Sequence, residues 1–187
     1  MARLPRPAQR PEEDPVERVL RGRHVRGREK GGERVGKTKR GKGTKLMVLA
    51  DGQGLALGVC VEAATPSEVK LLERTLDSVK VKRRRGENRR PHKPERLIAD
   101  RGYDSNPARA LLVARDVEPI IPKRRNNRKA THQDGRKLRR YKRRWIIERT
   151  NSWLQNFRRL VVRYERKVKN FEALVHLACA LVALKRV

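Results

Sequence analysis

Acidic residues are scarce in this chain. Its 21 Asp and Glu stand against 50 Lys and Arg, a formal charge of +29 with a sequence pI near 11.5. Such a charge repels itself and attracts polyanions, and nucleic acid is the natural partner because each neutralised phosphate releases condensed counterions. Aromatic residues are only 4% and hydrophobic residues 36%. The core must therefore be small and aliphatic, supplemented by the stems of long basic side chains. Cysteine is nearly absent. Cys60 and Cys179 each lie inside an apolar run and read as buried thiols, and without a further Cys/His cluster a zinc site is not supported. His24, His92, His132 and His176 have no partner spacing and receive no ligand role. Long apolar runs are missing as well: the longest, residues 171–184, is interrupted by Glu172 and His176 and is too short to span a bilayer. Residues 1–21 lack the apolar stretch of a signal peptide. No basic stretch alternates with the large apolar residues that a membrane-surface helix buries. These absences predict a cytoplasmic, nucleoid-associated protein with no membrane partner.

Residues 1–20 are Pro-rich and basic and read as a disordered tail, and residues 21–44 as a basic, Gly-punctuated arm or hairpin. Regular order is expected from Lys45. The apolar runs 45–50 (KLMVLA) and 55–62 (LALGVCVE) flank the turn Asp51-Gly52-Gln53-Gly54 and predict an antiparallel hairpin. Val69, Leu72, Leu76 and Val79 recur at helical spacing after Thr65-Pro66-Ser67-Glu68, predicting a helix that runs through Val81. A basic connector, 82–93, leads to a short buried strand, 96–100 (RLIAD). A helix follows over 106–115, with Asn106 as cap and Pro107 in its first turn. Residues 117–121 (VEPII) read as an edge strand because of Pro119, and 123–136 as a very basic loop. Helices over 137–160 and 170–184 close the chain. The succession predicts an α/β fold, a mixed sheet with flanking helices.

Two carboxylates stand out. Asp100 ends a buried strand, where α/β sheets place ligands, although a turn aspartate has the same signature. Glu148 shares a helix face with Tyr141 and Arg144, spaced i, i+3 and i+7. A solvated Glu paired with Arg144 or Arg149 is the plainer alternative. Together, a strand-end Asp and a helix Glu inside a basic groove could supply part of a divalent-metal site for phosphodiester chemistry. The three basic segments 21–45, 80–96 and 123–149 hold 33 of the 50 cations, which favours a groove that tracks phosphates.

The stretches VGKTKRGKGTKLMVLADGQGL (35–55), LIADRGYDS (97–105), PIIPKRRNNRK (119–129) and YKRRWIIERTNSWLQNFRRLVVRYER (141–166) resemble insertion sequence 5-type bacterial transposases. Those are DDE enzymes of the insertion sequence 4 superfamily with a ribonuclease-H-like core. The resemblance runs from about Arg23 to Val187. It implies a transposase that binds terminal inverted repeats and target DNA, assembles as a homo-oligomer on DNA, and uses Mg²⁺ (or Mn²⁺) to cleave and transfer strands. It implies catalytic and metal-holding roles for Asp100 and Glu148, the second and third acidic residues. DNA contacts are expected from Lys37, Lys39, Arg40, Lys42, Lys123, Arg124, Arg125, Arg128, Tyr141, Arg144 and Arg149.

The chain departs from the pattern in two places. Gln155 stands where the family has a basic residue seven positions after the Glu, with Arg158 and Arg159 the nearest cations. Upstream, Leu20-Arg21-Gly22-Arg23-His24-Val25 occupies the place of the family's Asp-Gly-Ser/Thr-Phe strand, so that Arg21 stands at the first catalytic Asp. The helical region that the family carries before its core is replaced by the Pro-rich tail, as in a truncated or frameshifted chain. The expected domain is thus residues 21–187 with a degenerate first strand, and impaired catalysis. A catalytically inactive DNA-binding remnant, or a non-catalytic basic RNA- or DNA-binding protein, are the alternatives. Asp51 reads as turn chemistry, and Asp104 as a turn residue near Asp100.

Overall fold

The computed structural model describes residues 17–26, 31–39, 41–79, 94–124 and 135–185. Six strands form one sheet: β1 (Glu17–Arg26), β2 (Gly36–Thr38), β3 (Gly41–Ala50), β4 (Ala56–Ala63), β5 (Arg96–Ala99) and β6 (Glu118–Ile120). The strand order is β2-β3-β1-β5-β6, with β4 also paired to β3. β3 runs antiparallel to β1, β2 and β4, whereas β5 and β6 run parallel to β1. A central first strand, an antiparallel meander on one side and parallel strands on the other make up the ribonuclease-H-like mixed sheet that the resemblance implied.

The continuous apolar run of β3 is explained by burial on both faces. Leu46, Val48 and Ala50 join Val19 and Ile98 in one core layer, while Met47 and Leu49 join Leu20, Leu97 and Ala99 in the other. The first layer is closed by α4 (Trp145–Gln155) and α6 (Val168–Leu184), through Ile146, Ile147, Leu154, Phe171 and Val175. The second is closed by α1 (Leu72–Asp77) and α2 (Asn106–Ala114), through Leu72, Ala108 and Leu112. Among the described residues no helix is long and apolar enough to cross a membrane.

Order begins well before Lys45. β1 starts at Glu17, inside the segment expected to be a tail, and the first strand is fully formed at the centre of the sheet. Its sequence, ERVLRGRHVR, carries few apolar residues, but Val19 and Leu20 are buried in opposite layers and its register comes from both neighbours. The hairpin β3–β4 forms as expected, and Asp51 accepts hydrogen bonds from the backbone N–H of Gln53 (2.9 Å) and Leu55 (2.8 Å) in its turn. The helix expected through Val81 is shorter: a 3-10 turn, Glu68–Leu71, leads into α1, which ends at Asp77. Val81 and the connector 82–93 lie outside the described residues. The cap of α2 is Ser105, whose Oγ accepts from Ala108 N, and not Asn106.

The helix expected over 137–160 is broken into α3 (Gly135–Leu138), a 3-10 stretch (Arg139–Arg144), α4 and α5 (Arg158–Val161). Five of the six residues in the stretch RRYKRR are cations, and like charges one turn apart oppose a regular helix. Phe157 adopts extended backbone between α4 and α5 and packs against the first core layer, ending α4. The start of α6 is capped from afar, because Val168 N donates to Glu33 Oε2 at 2.9 Å.

Candidate functional site at the carboxyl end of the sheet

Strand alternation decides which side chains meet. On β5, Ile98 faces the α4 layer, so Asp100, two residues on, leaves the strand toward the same layer. On β1, Val19 faces that layer, and Arg21 follows it. Leu20 pairs with Ala99, the last pair of the parallel register, so Arg21 and Asp100 each lie one residue past it. On α4, the buried stripe Ile146, Ile147, Thr150 and Leu154 lies on the sheet, and Glu148 stands at its edge.

Arg21 of β1 and Arg144 of the 3-10 stretch converge on the Glu148 carboxylate of α4. Arg21 Nη1 donates to Glu148 Oε1 at 2.8 Å, and Arg144 Nη2 lies 2.8 Å from the same oxygen. The guanidinium of Arg144 also stacks over the Tyr141 ring, 5.7 Å from its centroid. Arg21 and Glu148 are 40% and 41% exposed, so solvent reaches this cluster. Asp100 Oδ1 accepts from Gly102 N at 2.6 Å, capping the 3-10 turn Arg101–Tyr103. Asp100 thus has the geometry of a turn aspartate and also lies at the mouth of the sheet.

On the opposite face of β1, room is short at Gly22. A Cβ on Gly22 would come within 2.6 Å of Glu68 Cδ and 2.7 Å of Met47 Sδ. Glu68 accepts a hydrogen bond from the buried Tyr103 hydroxyl at 3.0 Å. Burial, with Glu68 alongside, pushes the Tyr103 hydroxyl far above its ordinary pKa.

Around this centre the expected DNA-contacting residues fall into groups. Lys37 and Lys42 are paired across the β2–β3 hairpin and exposed, and Lys39 is exposed at its turn. From Val48, opposite Arg21, to Gly41 is seven residues of strand, roughly 23 Å at the usual rise. The hairpin therefore extends from the same end of the sheet as Asp100. Lys123 and Arg124 are exposed just past β6, again at that end. Their path is set by Asp104, whose side chain is fully buried, pairs with Arg109 at 2.8 Å and accepts from Arg124 N at 2.6 Å. Arg40, Arg125 and Arg128 lie outside the described residues. Gln155 is exposed at the end of α4, and Arg158 and Arg159 are exposed in α5.

Arg149 has a different setting. Its guanidinium lies between the rings of Trp145 and Trp153, 4.5 and 4.8 Å from their centroids, and Nη2 donates to Gln53 O at 2.8 Å. Beside it, Thr150 Oγ1 lies 2.8 Å from Gly54 O, and Gly54 has a φ of +90° with the helix closely packed on it. Arg149 therefore ties α4 to the β3–β4 turn. The two tryptophans pack around this cation, and Trp145 remains 52% exposed.

Sequence reasoning missed Arg163. It is 1% exposed, with Nη1 donating to Thr44 Oγ1 (2.7 Å), Nε to Glu165 O (3.0 Å) and Nη2 to Arg166 O (3.3 Å). Its guanidinium lies 5.4 Å from the Phe171 ring centroid. Desolvation holds its pKa below the ordinary value. Nothing in the local pattern VVRYER distinguishes it from its exposed neighbours.

A family model described as "Transposase DDE domain" matches residues 15–183. The chain belongs to the transposase DDE domain family. A protein assigned as the transposase for insertion sequence element IS402 of Burkholderia cepacia is 36% identical over 141 residues. That match covers 75% of this chain and 62% of the relative, so the chain spans less than two thirds of that protein's length. Among solved structures, a piggyBac transposase synaptic complex with hairpin DNA matches 62% of this chain and 24% of its own, at 13% identity and a TM-score of 0.41. That likeness is too weak to bear on the fold.

Enzymes of this transposase family use divalent metal ions, and the residues present here do not fit one. Glu148 Oε1 already takes two guanidiniums. Among the described residues no group of three or more His, Cys, Asp or Glu could hold a metal ion.

Proposed function

We propose that this chain is the core domain of an insertion-sequence transposase, of the insertion sequence 5 type, that binds element-end DNA and does not cut it. The observation that carries the reading is the ion pair of Arg21 with Glu148. Strand parity supports Arg21 and Asp100 on one face of the sheet, and a cation already occupies the Glu148 carboxylate. Lys37, Lys39 and Lys42 on one side and Lys123 and Arg124 on the other supply phosphate contacts, with Arg144 and Tyr141 at the centre. Their order along the sheet end favours a duplex laid across the site. The domain from β1 onward forms the DNA-binding core in this reading, and pairing of element ends makes a homo-oligomer on DNA.

The test is a salt titration of binding to element-end duplex, a scrambled duplex and RNA. Tighter binding to element ends is expected, with an affinity that falls steeply with salt, by about 0.9 log units per phosphate contact for each log unit of salt. Replacing Lys37 and Lys42 with Ala should lower that slope by about 2. Equal or tighter binding to RNA would instead favour a general basic RNA-binding protein.

A further inference from the structure

We infer that Arg21 is a built-in cation that takes the place of a divalent ion beside Asp100 and Glu148, so that one charge reversal, Arg21→Asp, turns this cluster into a divalent-cation site. The inference deepens the proposed function, but its readout does not involve DNA.

Three observations carry it. First, the parity of β1, β5 and the layer under α4 puts residue 21, Asp100 and Glu148 on one face, with residue 21 and Asp100 each one place past the Leu20–Ala99 pair and residue 21 in contact with Glu148. Second, Glu148 is already matched by cations: two guanidiniums, Arg21 and Arg144, meet the same Oε1 at 2.8 Å. A metal at this carboxylate would face a fixed positive charge within a few ångströms. Third, the surroundings do not depend on the identity of the side chain at 21. The strand is held by register on both sides, and the tight neighbour contacts fall on Gly22, whose Cβ would point to the other face. Exchanging Arg21 for Asp would therefore bring three carboxylates from β1, β5 and α4 together with only Arg144 as counter-charge. Such an oxygen-rich, partly exposed set suits Mg²⁺ or Mn²⁺.

The experiment is a Mn²⁺ titration of the full chain without DNA, read by the electron paramagnetic resonance signal of the free ion. The unaltered chain is expected to show no Glu148-dependent site. Arg21→Asp is expected to take up Mn²⁺ at least about a hundredfold more tightly, and Arg21→Asp with Glu148→Gln to lose that site. If Arg21→Asp folds only when Mn²⁺ is added, the inference is equally supported. If it does not fold at all, Arg21→Ser decides, since it removes the cation without adding charge and is expected to gain weaker Mn²⁺ uptake. A Glu148-dependent Mn²⁺ site in the unaltered chain would overturn the inference. So would a folded Arg21→Asp, or a folded Arg21→Ser where the aspartate variant fails, that takes up no ion. Loss of DNA binding with the expected Mn²⁺ results would overturn the proposed function alone.

Discussion

Replacing Arg163 with Met is expected to destabilise the domain by roughly 3–4 kcal/mol, because the loss leaves Thr44 Oγ1 and two backbone carbonyls short of a buried donor. The three bonds are 2.7–3.3 Å long and the side chain is 1% exposed. A neutral unmet group costs about 1–3 kcal/mol, but Glu165 O and Arg166 O lie near the surface and water can serve them in part. The Met side chain fills most of the space against Phe171, so the cavity term is small. For a domain of this size the change corresponds to a fall in Tm of about 10 °C. Urea unfolding followed by circular dichroism is the assay, with Thr44→Val as the second arm of a double-mutant cycle and a coupling of about 1 kcal/mol expected. Burial lowers the Arg163 pKa, so the charged form is penalised in the folded state. That penalty is relieved only at pH above the folded value, and the difference between the two proteins should be flat across neutral pH. A loss under about 0.5 kcal/mol, the range of an ordinary surface substitution, would refute the claim that this buried cation joins the α5–α6 connection to β3.

Arg149→Ala should cost about 2 kcal/mol in the same assay by removing two cation–π contacts and the bond to Gln53 O, and should leave the salt slope of DNA binding unchanged; a slope lowered by about 1 would assign Arg149 to a phosphate instead. Burial pushes the Cys179 thiol up to about 11 and raises Cys60 as well. Both thiols, expected to be buried, are only partly so; alkylation by iodoacetamide at pH 8 should still be slower in the folded chain than in urea, and equal rates would contradict this partial burial. Glu118 is held below its ordinary value chiefly by the hydrogen bond from Lys137, and by Arg96. A lowered carboxylate stabilises the fold above its unfolded pKa and loses that contribution as pH falls through the folded one. Glu118→Gln should accordingly flatten the acid limb of stability below pH 4.5, and an unchanged limb would count against the pairing.

Elements with a strong local signal were legible in the sequence. The β3–β4 hairpin, β5, α2 and β6 followed from apolar runs and turn chemistry, and Asp51 behaves as the turn residue its neighbours predicted. What could not be read was whatever depends on distant partners. β1 has too few apolar residues to announce a strand, and its register comes from β3 and β5. α6 starts where Glu33, far away in sequence, caps it, and Arg163 looks like any other arginine until Thr44 is placed against it. The break of the long helix follows from a local charge run, Arg139–Arg144, where apolar spacing alone still predicts a continuous helix. At the site, Asp100, Glu148, Tyr141 and Arg144 could be named from spacing and resemblance. That Arg21 lies directly on Glu148 required the sheet register, because the two are separated by most of the chain.

The most direct measurement of the central claim is cleavage of labelled element-end DNA in Mg²⁺ and in Mn²⁺, at protein concentrations that saturate binding. The account predicts that this chain binds the duplex and leaves both strands intact in either metal. Strand cleavage by the unaltered chain that disappears in Glu148→Gln would contradict it.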